Sequence, residues 1–487
     1  MSGWSARGTL DAVSRLIHIS RVSSASRVSN GRSTGHQPAG EQTRMKKSLR
    51  PIASLLLGVA FLLAGNGLQF TLLPLRGSSE GFGTFALGVI GSAYYVGFVS
   101  GCALGPYVIL RAGHIRAFSA MVALATAVSL AYALAPVPTA WIAFRFITGF
   151  CLAGFYLVVE SWLNDRASNE TRGFVMSAYI VVNFVAITLG QMLVVLYPVQ
   201  QAENFMIAAM LSSLAIIPVA LTRSAQPAPI TIVNFYPKQL YHAAPVALIA
   251  SFMIGVANGA FYALAPVSAA DIGLSVDQVA LFMSIAVLAG ALAQWPVGHL
   301  SDHVDRRLVL LALLIGAAAT GLTLWVVSAS GMLLLLFGFL FGALALPCYS
   351  LAAAHAFDKT PISDVVPTSA TILLANGLGS MIGPLPASAF MLAEGPQALF
   401  LFAAITQALL AVFVLYRTTV QASLTPTEKT EFELATTAPV GAVVTHDAPD
   451  PADPSVAVPE PYVPPIEEAV LRSASAQDRD EIRHRAE

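Results

Sequence analysis

Two charges stand inside an apolar stretch where charge is costly. Residues 139–162 read as one membrane-crossing segment, and within it lie Arg145 and Glu160. An ionisable side chain at bilayer depth costs about 3 kcal/mol or more, so a functional role is its default reading. A guanidinium keeps its charge at any physiological pH. A carboxyl taken out of water can hold or release a proton. Glu160 would need a partner elsewhere or would hold a proton. The pair cannot meet directly: 15 residues put them about 22 Å apart along a helix and roughly 60° around it. The alternative for Arg145 is snorkelling to the nearby surface. For Glu160 it is a structural ion pair with Arg111 or Arg116.

A second charged constellation is Gly298-His299-Leu300-Ser301-Asp302-His303-Val304-Asp305-Arg306-Arg307. Apolar runs flank it, Val276–Val297 before and Leu308–Ser328 after. About 20 such residues at 1.5 Å each span a hydrocarbon core of roughly 30 Å. The stretch is therefore expected to be the tight turn of a membrane hairpin. Arg306 and Arg307 mark its cytoplasmic side, Gly298 permits close helix approach, and Asp302 suits the positive N-terminal end of a helix. His299 and His303 share a helical face, but no third metal ligand accompanies them. His355 reads as a packing residue. No nucleophile–base pair or metal cluster appears, so an enzyme is not expected.

The elements that must position these groups are membrane helices. Of 487 residues, 56% are hydrophobic and only 11% charged, and the mean hydropathy is +0.70; a soluble domain carries about 25% charged residues. The fold class is all-α integral membrane, with about twelve spans near 51–73, 84–109, 115–135, 139–162, 173–197, 203–222, 243–266, 276–298, 308–328, 331–355, 364–390 and 396–416. Lys46, Lys47, Arg50, Arg111, Arg116, Arg166, Arg172, Arg223, Lys238, Arg306, Arg307, Lys359 and Arg417 all fall on one side, and only Arg76 on the other. That asymmetry puts both termini in the cytoplasm. Residues 1–44 form a basic extension, disordered or preceding the true start at Met45. The proline-bearing stretch 223–242 reads as a cytoplasmic linker between bundles 45–222 and 243–417. Residues 418–487 read as a disordered cytoplasmic tail, with a short amphipathic helix possible over 466–485. The three cysteines, Cys102, Cys151 and Cys348, lie in apolar runs and suggest neither disulfide nor metal site.

The halves repeat. Asn66, Gly67 and Pro74 correspond to Asn258, Gly259 and Pro266. Pro106, Leu110 and Arg116 correspond to Pro296, Leu300 and Arg306. Phe146, Gly149, Tyr156, Asp165 and Arg166 correspond to Phe339, Gly342, Tyr349, Asp358 and Lys359, and Asn183 and Gly190 to Asn376 and Gly383. The offset stays at about 190–193 residues, as expected of two six-helix bundles with a parallel relationship. Gly97, Gly101 and Gly105, and likewise Gly379 and Gly383, form small-residue steps expected to pack helices between the halves. No strand precedes them, so they are not phosphate loops.

The loop at 298–307 resembles motif A of the major facilitator superfamily through Gly298, Leu300, Ser301, Asp302, Arg306 and Arg307; His303 and Asp305 depart from the pattern. Arg145-Phe-Ile-Thr-Gly149 resembles the superfamily's motif B. Glu160-Ser-Trp-Leu-Asn164, with Gly113-His-Ile-Arg116, is similar to the bacterial YcaD-like branch. The resemblance covers roughly residues 45–417 and implies the twelve-helix facilitator fold with a central cavity lined by spans 1, 4, 7 and 10. Asn66 and Gln69, three apart on one face, and Tyr156, Asn258 and Tyr349 would then line the substrate path. It further implies proton coupling through Arg145 and Glu160. Asp165, with Gly298, Asp302, Arg306 and Arg307, would gate the path. The first-half loop keeps Gly105 but has Ile109 where motif A has Asp, so gating leans on the second-half loop.

The expectation is a secondary transporter in the bacterial inner membrane, working as a monomer by alternating access on a small organic molecule. Proton antiport in the efflux direction is preferred, with no cofactor and no nucleic-acid partner. An uncoupled uniporter, or a membrane sensor signalling through its acidic tail, are the rivals.

Overall fold

The computed structural model describes residues 39–166, 172–220, 235–326, 331–361 and 364–420. The readings of residues 1–38, of the linker up to 234 and of the tail from 421 lie outside the described residues. The bilayer's demand that backbone groups pair within a segment leaves helices as the building blocks. Twelve are long and apolar enough to cross: α1 Ile52–Ser79, α2 Thr84–Ala112, α3 His114–Leu134, α4 Pro138–Leu163, α5 Phe174–Leu196, α6 Glu203–Ala220, α7 Pro245–Asp271, α8 Val276–His303, α9 Arg306–Val326, α10 Met332–Phe357, α11 Val365–Glu394 and α12 Ala398–Val420. No strand occurs among the described residues. A short helix, Pro237–Ala243, leads into α7 with proline in its first turn, where a missing N–H costs nothing.

Several helices outrun their apolar segments. Most consequential is α8, which continues through His303, while α9 starts at Arg306. The expected ten-residue turn is therefore only Val304-Asp305. Hydropathy marks where hydrocarbon ends, not where a helix ends, and the Arg306–Asp302 ion pair at 3.3 Å closes the junction. Asp305, rather than Asp302, occupies the N-terminal end of α9: its Oδ1 accepts from the Arg307 backbone N–H at 2.9 Å. Other turns are equally short. Gly113, at φ 80°, alone separates α2 from α3, a conformation that side-chain-bearing residues avoid. Prolines interrupt two spans, α10 at Leu346-Pro347 and α11 at Gly383-Pro384.

Glycines set the packing, and they do so in pairs. On α2 and α4, a Cβ at Gly97 would collide with the Phe146 carbonyl, and one at Gly149 with the Tyr94 carbonyl. On α7 and α11, Gly255 and Gly259 meet Asn376 and Ser380, while Gly379 and Gly383 meet Phe252 and Val256. The same reciprocal contact joins α1 to α5 through Gly67 and Gly190, and α8 to α10 through Gly290 and Gly342. The repeat positions thus make equivalent contacts in both halves. These stripes lie within each half: Gly97, Gly101 and Gly105 pack on α4, and Gly379 and Gly383 on α7. The expectation that they pack between halves is corrected. Helical periodicity identifies a small-residue face but not the neighbour it approaches.

Contact between the halves runs instead through α2 against α7 and α11, and α5 against α8. A Cβ at Gly91 would strike the Ala263 side chain, and one at Gly88 would strike Ser388 and the Pro384 carbonyl. Ser284 Oγ donates to the Thr188 carbonyl at 3.3 Å. Phe70 and Tyr262 meet edge-on with ring centroids 6.2 Å apart.

Candidate functional site

Arg145 is 2% exposed, so it does not snorkel. Its guanidinium carbon lies 4.9 Å from the Phe70 ring centroid on α1 and 4.9 Å from that of Tyr94 on α2. The two rings stand edge to face at 5.1 Å and hold the cation in their corner. The close α2–α4 approach at Gly149 and Gly97 brings Tyr94 within reach. Arg145 Nε and Nη1 have no hydrogen-bond partner.

One turn further along α1 and α4, Asn66 and Thr148 line a small cavity inside the first bundle, with Gln69, Cys151 and Ser212. It offers about 20 Å³, where one water needs about 10–15 Å³. Gln69 Nε2 donates to Ser129 Oγ on α3 at 2.7 Å, while the Asn66 side chain lies toward the Tyr94 hydroxyl. Asn66 and Gln69 therefore face a pocket between α1, α3, α4 and α6. A buried amide turns toward available polar groups, and for Gln69 that group is Ser129.

Glu160, buried at the other end of α4, has a different setting. Its charge reaches Cys102 on α2, Tyr156 on its own helix, Tyr179 on α5 and Tyr349 on α10. Tyr349 belongs to the second half, so this carboxyl lies within electrostatic range of both bundles. The hydroxyls of Tyr156 and Tyr179 are buried without a hydrogen-bond partner. Asn258 on α7 is buried with its Nδ2 unpartnered.

The α8–α9 turn organises a third cluster. Arg306 is 1% exposed and grips Asp358, at the end of α10, through Nε–Oδ2 at 2.7 Å and Nη2–Oδ1 at 3.3 Å. It also donates to Ser301 Oγ at 3.1 Å, and Ser301 donates to the Gly298 carbonyl at 2.7 Å. Arg307 clasps Asp305 at 2.8 Å and reaches the Arg417 carbonyl at 3.4 Å. Burial pushes the Asp305 carboxyl up, but the hydrogen bonds and charge of Arg307 outweigh it and hold it below the usual carboxylate range. His355 is buried beside the cluster. Asp165 is exposed at the end of α4, with its charge near His114. The carboxylate on Arg306 is thus Asp358, the repeat counterpart of Asp165. Sequence reasoning passed over Asp358, although the repeat alignment pointed to it. His299 and His303 lie outside this cluster, their rings 4.8 Å apart beside an exposed Trp295.

Twelve helices long and apolar enough to cross a membrane, with two buried charges on α4, are the architecture of a multi-pass membrane protein. The family comparison agrees. The profile described as Major Facilitator Superfamily matches residues 43–245 and 247–470, and the chain belongs to that superfamily. Among its relatives is the uncharacterized MFS-type transporter YcaD of Escherichia coli O7:K1, 29% identical over 348 residues, covering 70% of this chain and 88% of the relative. The same protein from Escherichia coli O139:H28 matches equally, at 29% over 348 residues. Among solved structures, the nucleoside transporter NupG superposes with a TM-score of 0.65 at 13% identity, covering 75% of this chain and 98% of its own. A bacterial homolog of the human lysosomal transporter Spinster, inward-facing and occupied, gives 0.62 at 15%, covering 80% and 100%. The human organic anion transporter MFSD10 gives 0.53 at 19%, covering 75% and 99%. At these identities the likeness establishes the fold. The chain is a multi-pass membrane transporter.

Proposed function

We propose that the protein moves a small organic molecule out of the cell by alternating access, coupled to protons, with the Lys/Arg-rich side cytoplasmic and both termini there. The observation that carries this is Glu160, a buried carboxyl on α4 whose charge reaches α2 and α5 of its own bundle and Tyr349 of the other. A proton arriving there changes a charge at the seam between the moving bodies, which is what coupling requires. Tyr156, Tyr349 and Asn258 are the path-lining groups of this mechanism, and Arg306 with Asp358 is its cytoplasmic latch. The fold supports transport but does not select a solute, since neighbours on the same fold are described for nucleosides and for organic anions.

The test is proton flux in everted membrane vesicles carrying wild type or Glu160→Gln, screened against a panel of metabolites and drugs. The expected result is a compound-triggered collapse of the pH gradient in wild type and none in the variant. A labelled compound crossing equally in both, with no proton movement, would identify a uniporter and end the coupling reading.

A further inference from the structure

Two imidazoles stand apart from the charged clusters described above. His299 and His303 are exposed on one face of the polar end of α8, four residues apart. The helix has 28 residues, about 42 Å of length against a hydrocarbon core of roughly 30 Å, so its end clears the core. Trp295, one turn before His299 and 75% exposed, is a residue type that settles at the membrane–water boundary. The histidines beyond it therefore meet headgroups and water.

Their geometry is that of a chelate. The two ring centroids lie 4.8 Å apart. With metal–nitrogen bonds of about 2.0–2.1 Å and each nitrogen about 1.1 Å from its ring centre, two imidazoles on one ion at about 90–109° have centroids roughly 4.5–5.2 Å apart. His303 Nδ1 lies 2.9 Å from the His299 carbonyl oxygen. A carbonyl only accepts, so in the neutral ring Nδ1 carries the hydrogen and Nε2 keeps its lone pair, the usual setting of a metal-bound histidine. The His299 ring is parallel to that of Trp295, at 6.2 Å and 9°. The neighbouring carboxylates are engaged elsewhere, Asp302 by Arg306 and Asp305 by Arg307. No third His, Cys, Asp or Glu joins the pair among the described residues. Two imidazoles with water at the remaining positions suit borderline transition-metal ions, while Mg²⁺ and Ca²⁺ require oxygen ligands.

We propose that His299 and His303 together bind one divalent transition-metal ion, Cu²⁺ foremost and then Ni²⁺ or Zn²⁺. The ion bridges one turn of helix and fixes the last turn of α8, which carries Asp302 to Arg306. The site stands on helix geometry and not on proton coupling, so its failure would leave the transport reading untouched.

The test is intrinsic tryptophan fluorescence of the purified full-length protein, free of any affinity tag, in detergent micelles titrated with Cu²⁺ or Ni²⁺. An ion held at His299 quenches the adjacent Trp295, one of five tryptophans. Wild type should lose part of its emission in a saturable step that Mg²⁺ does not reproduce. His299→Ala and His303→Ala should each weaken the apparent affinity by about tenfold or more, because a single imidazole no longer chelates. Both side chains are exposed, so the variants should fold as wild type does. The Cu²⁺ electron paramagnetic resonance spectrum gives a second readout, with nitrogen couplings from two imidazoles in wild type and fewer in each histidine variant. Trp295→Phe should abolish the saturable quenching and leave that spectrum unchanged. No saturable step in wild type, or the same affinity and spectrum in His299→Ala or His303→Ala, overturns the site.

Discussion

Asp358→Asn is the sharpest perturbation of the cytoplasmic latch. Arg306 and Asp358 are 1% and 2% exposed at the side chain and share two hydrogen bonds, at 2.7 and 3.3 Å. Breaking one partner of a buried pair costs about 3–5 kcal/mol, because the remaining charge is left uncompensated. Here Asp302 still faces Arg306 at 3.3 Å, but it is 33% exposed and partly screened. The expected loss is therefore near the lower bound, about 3 kcal/mol, or roughly 3–4 °C in Tm for a chain of this size. The assay is a double-mutant cycle by thermal unfolding in nanodiscs, with Asp358→Asn, Arg306→Gln and the two combined. The combined variant should be more stable than the sum of the single losses predicts, by about 2 kcal/mol or more, since neither charge is then stranded. Additive losses, or an Asp358→Asn variant as stable as wild type, would refute the claim that the pair acts as a unit.

Packing and pH give further tests. Gly149→Ala sets a methyl against the Tyr94 backbone carbonyl, which cannot swing away, whereas Gly105→Ala meets only the end of the Leu157 side chain at 2.8 Å. The first should cost about 1–3 kcal/mol or more and lower the yield of folded protein on size-exclusion chromatography, with the second near wild type. Asp305 has its carboxyl held below its unfolded value, so its stabilising contribution is complete above about pH 4 and fades as pH falls through the folded value. Asp305→Asn should therefore be less stable than wild type at pH 6, and the gap should close toward pH 3 in a Tm-versus-pH series. A gap independent of pH would contradict the assignment.

Much of the fold was legible because hydropathy dominates in a membrane chain. Twelve apolar segments appear as twelve helices, and the offset between Asn66-Gly67 and Asn258-Gly259 reappears as matched packing of α1 on α5 and α7 on α11. Other features needed the third dimension. The polar last turn of α8 stays helical because Asp302 pairs with Arg306, and a hydropathy reading ends it at Gly298. The glycine steps of α2 advertise a close approach without naming α4 as the neighbour. Arg145 stood out as a charge in an apolar run, but Phe70 and Tyr94, which hold it, are remote in sequence. Asp358, 52 residues from Arg306, was legible only as the repeat counterpart of Asp165, and its pairing with Arg306 comes from the fold.

The central claim is that solute passes because the two bundles part and close at the seam where Gly91 meets Ala263. It is tested most directly by Ala263→Cys in a background with Cys102, Cys151 and Cys348 replaced by serine, reacted in intact cells with a membrane-impermeant maleimide. Ala263 is 5% exposed and packed on Gly91, so labelling requires the seam to open outward. Alternating access predicts labelling that speeds up under conditions of flux, and loss of transport once the adduct wedges the seam. A fully labelled protein that transports undiminished, or sustained flux with the cysteine never labelled, would contradict it.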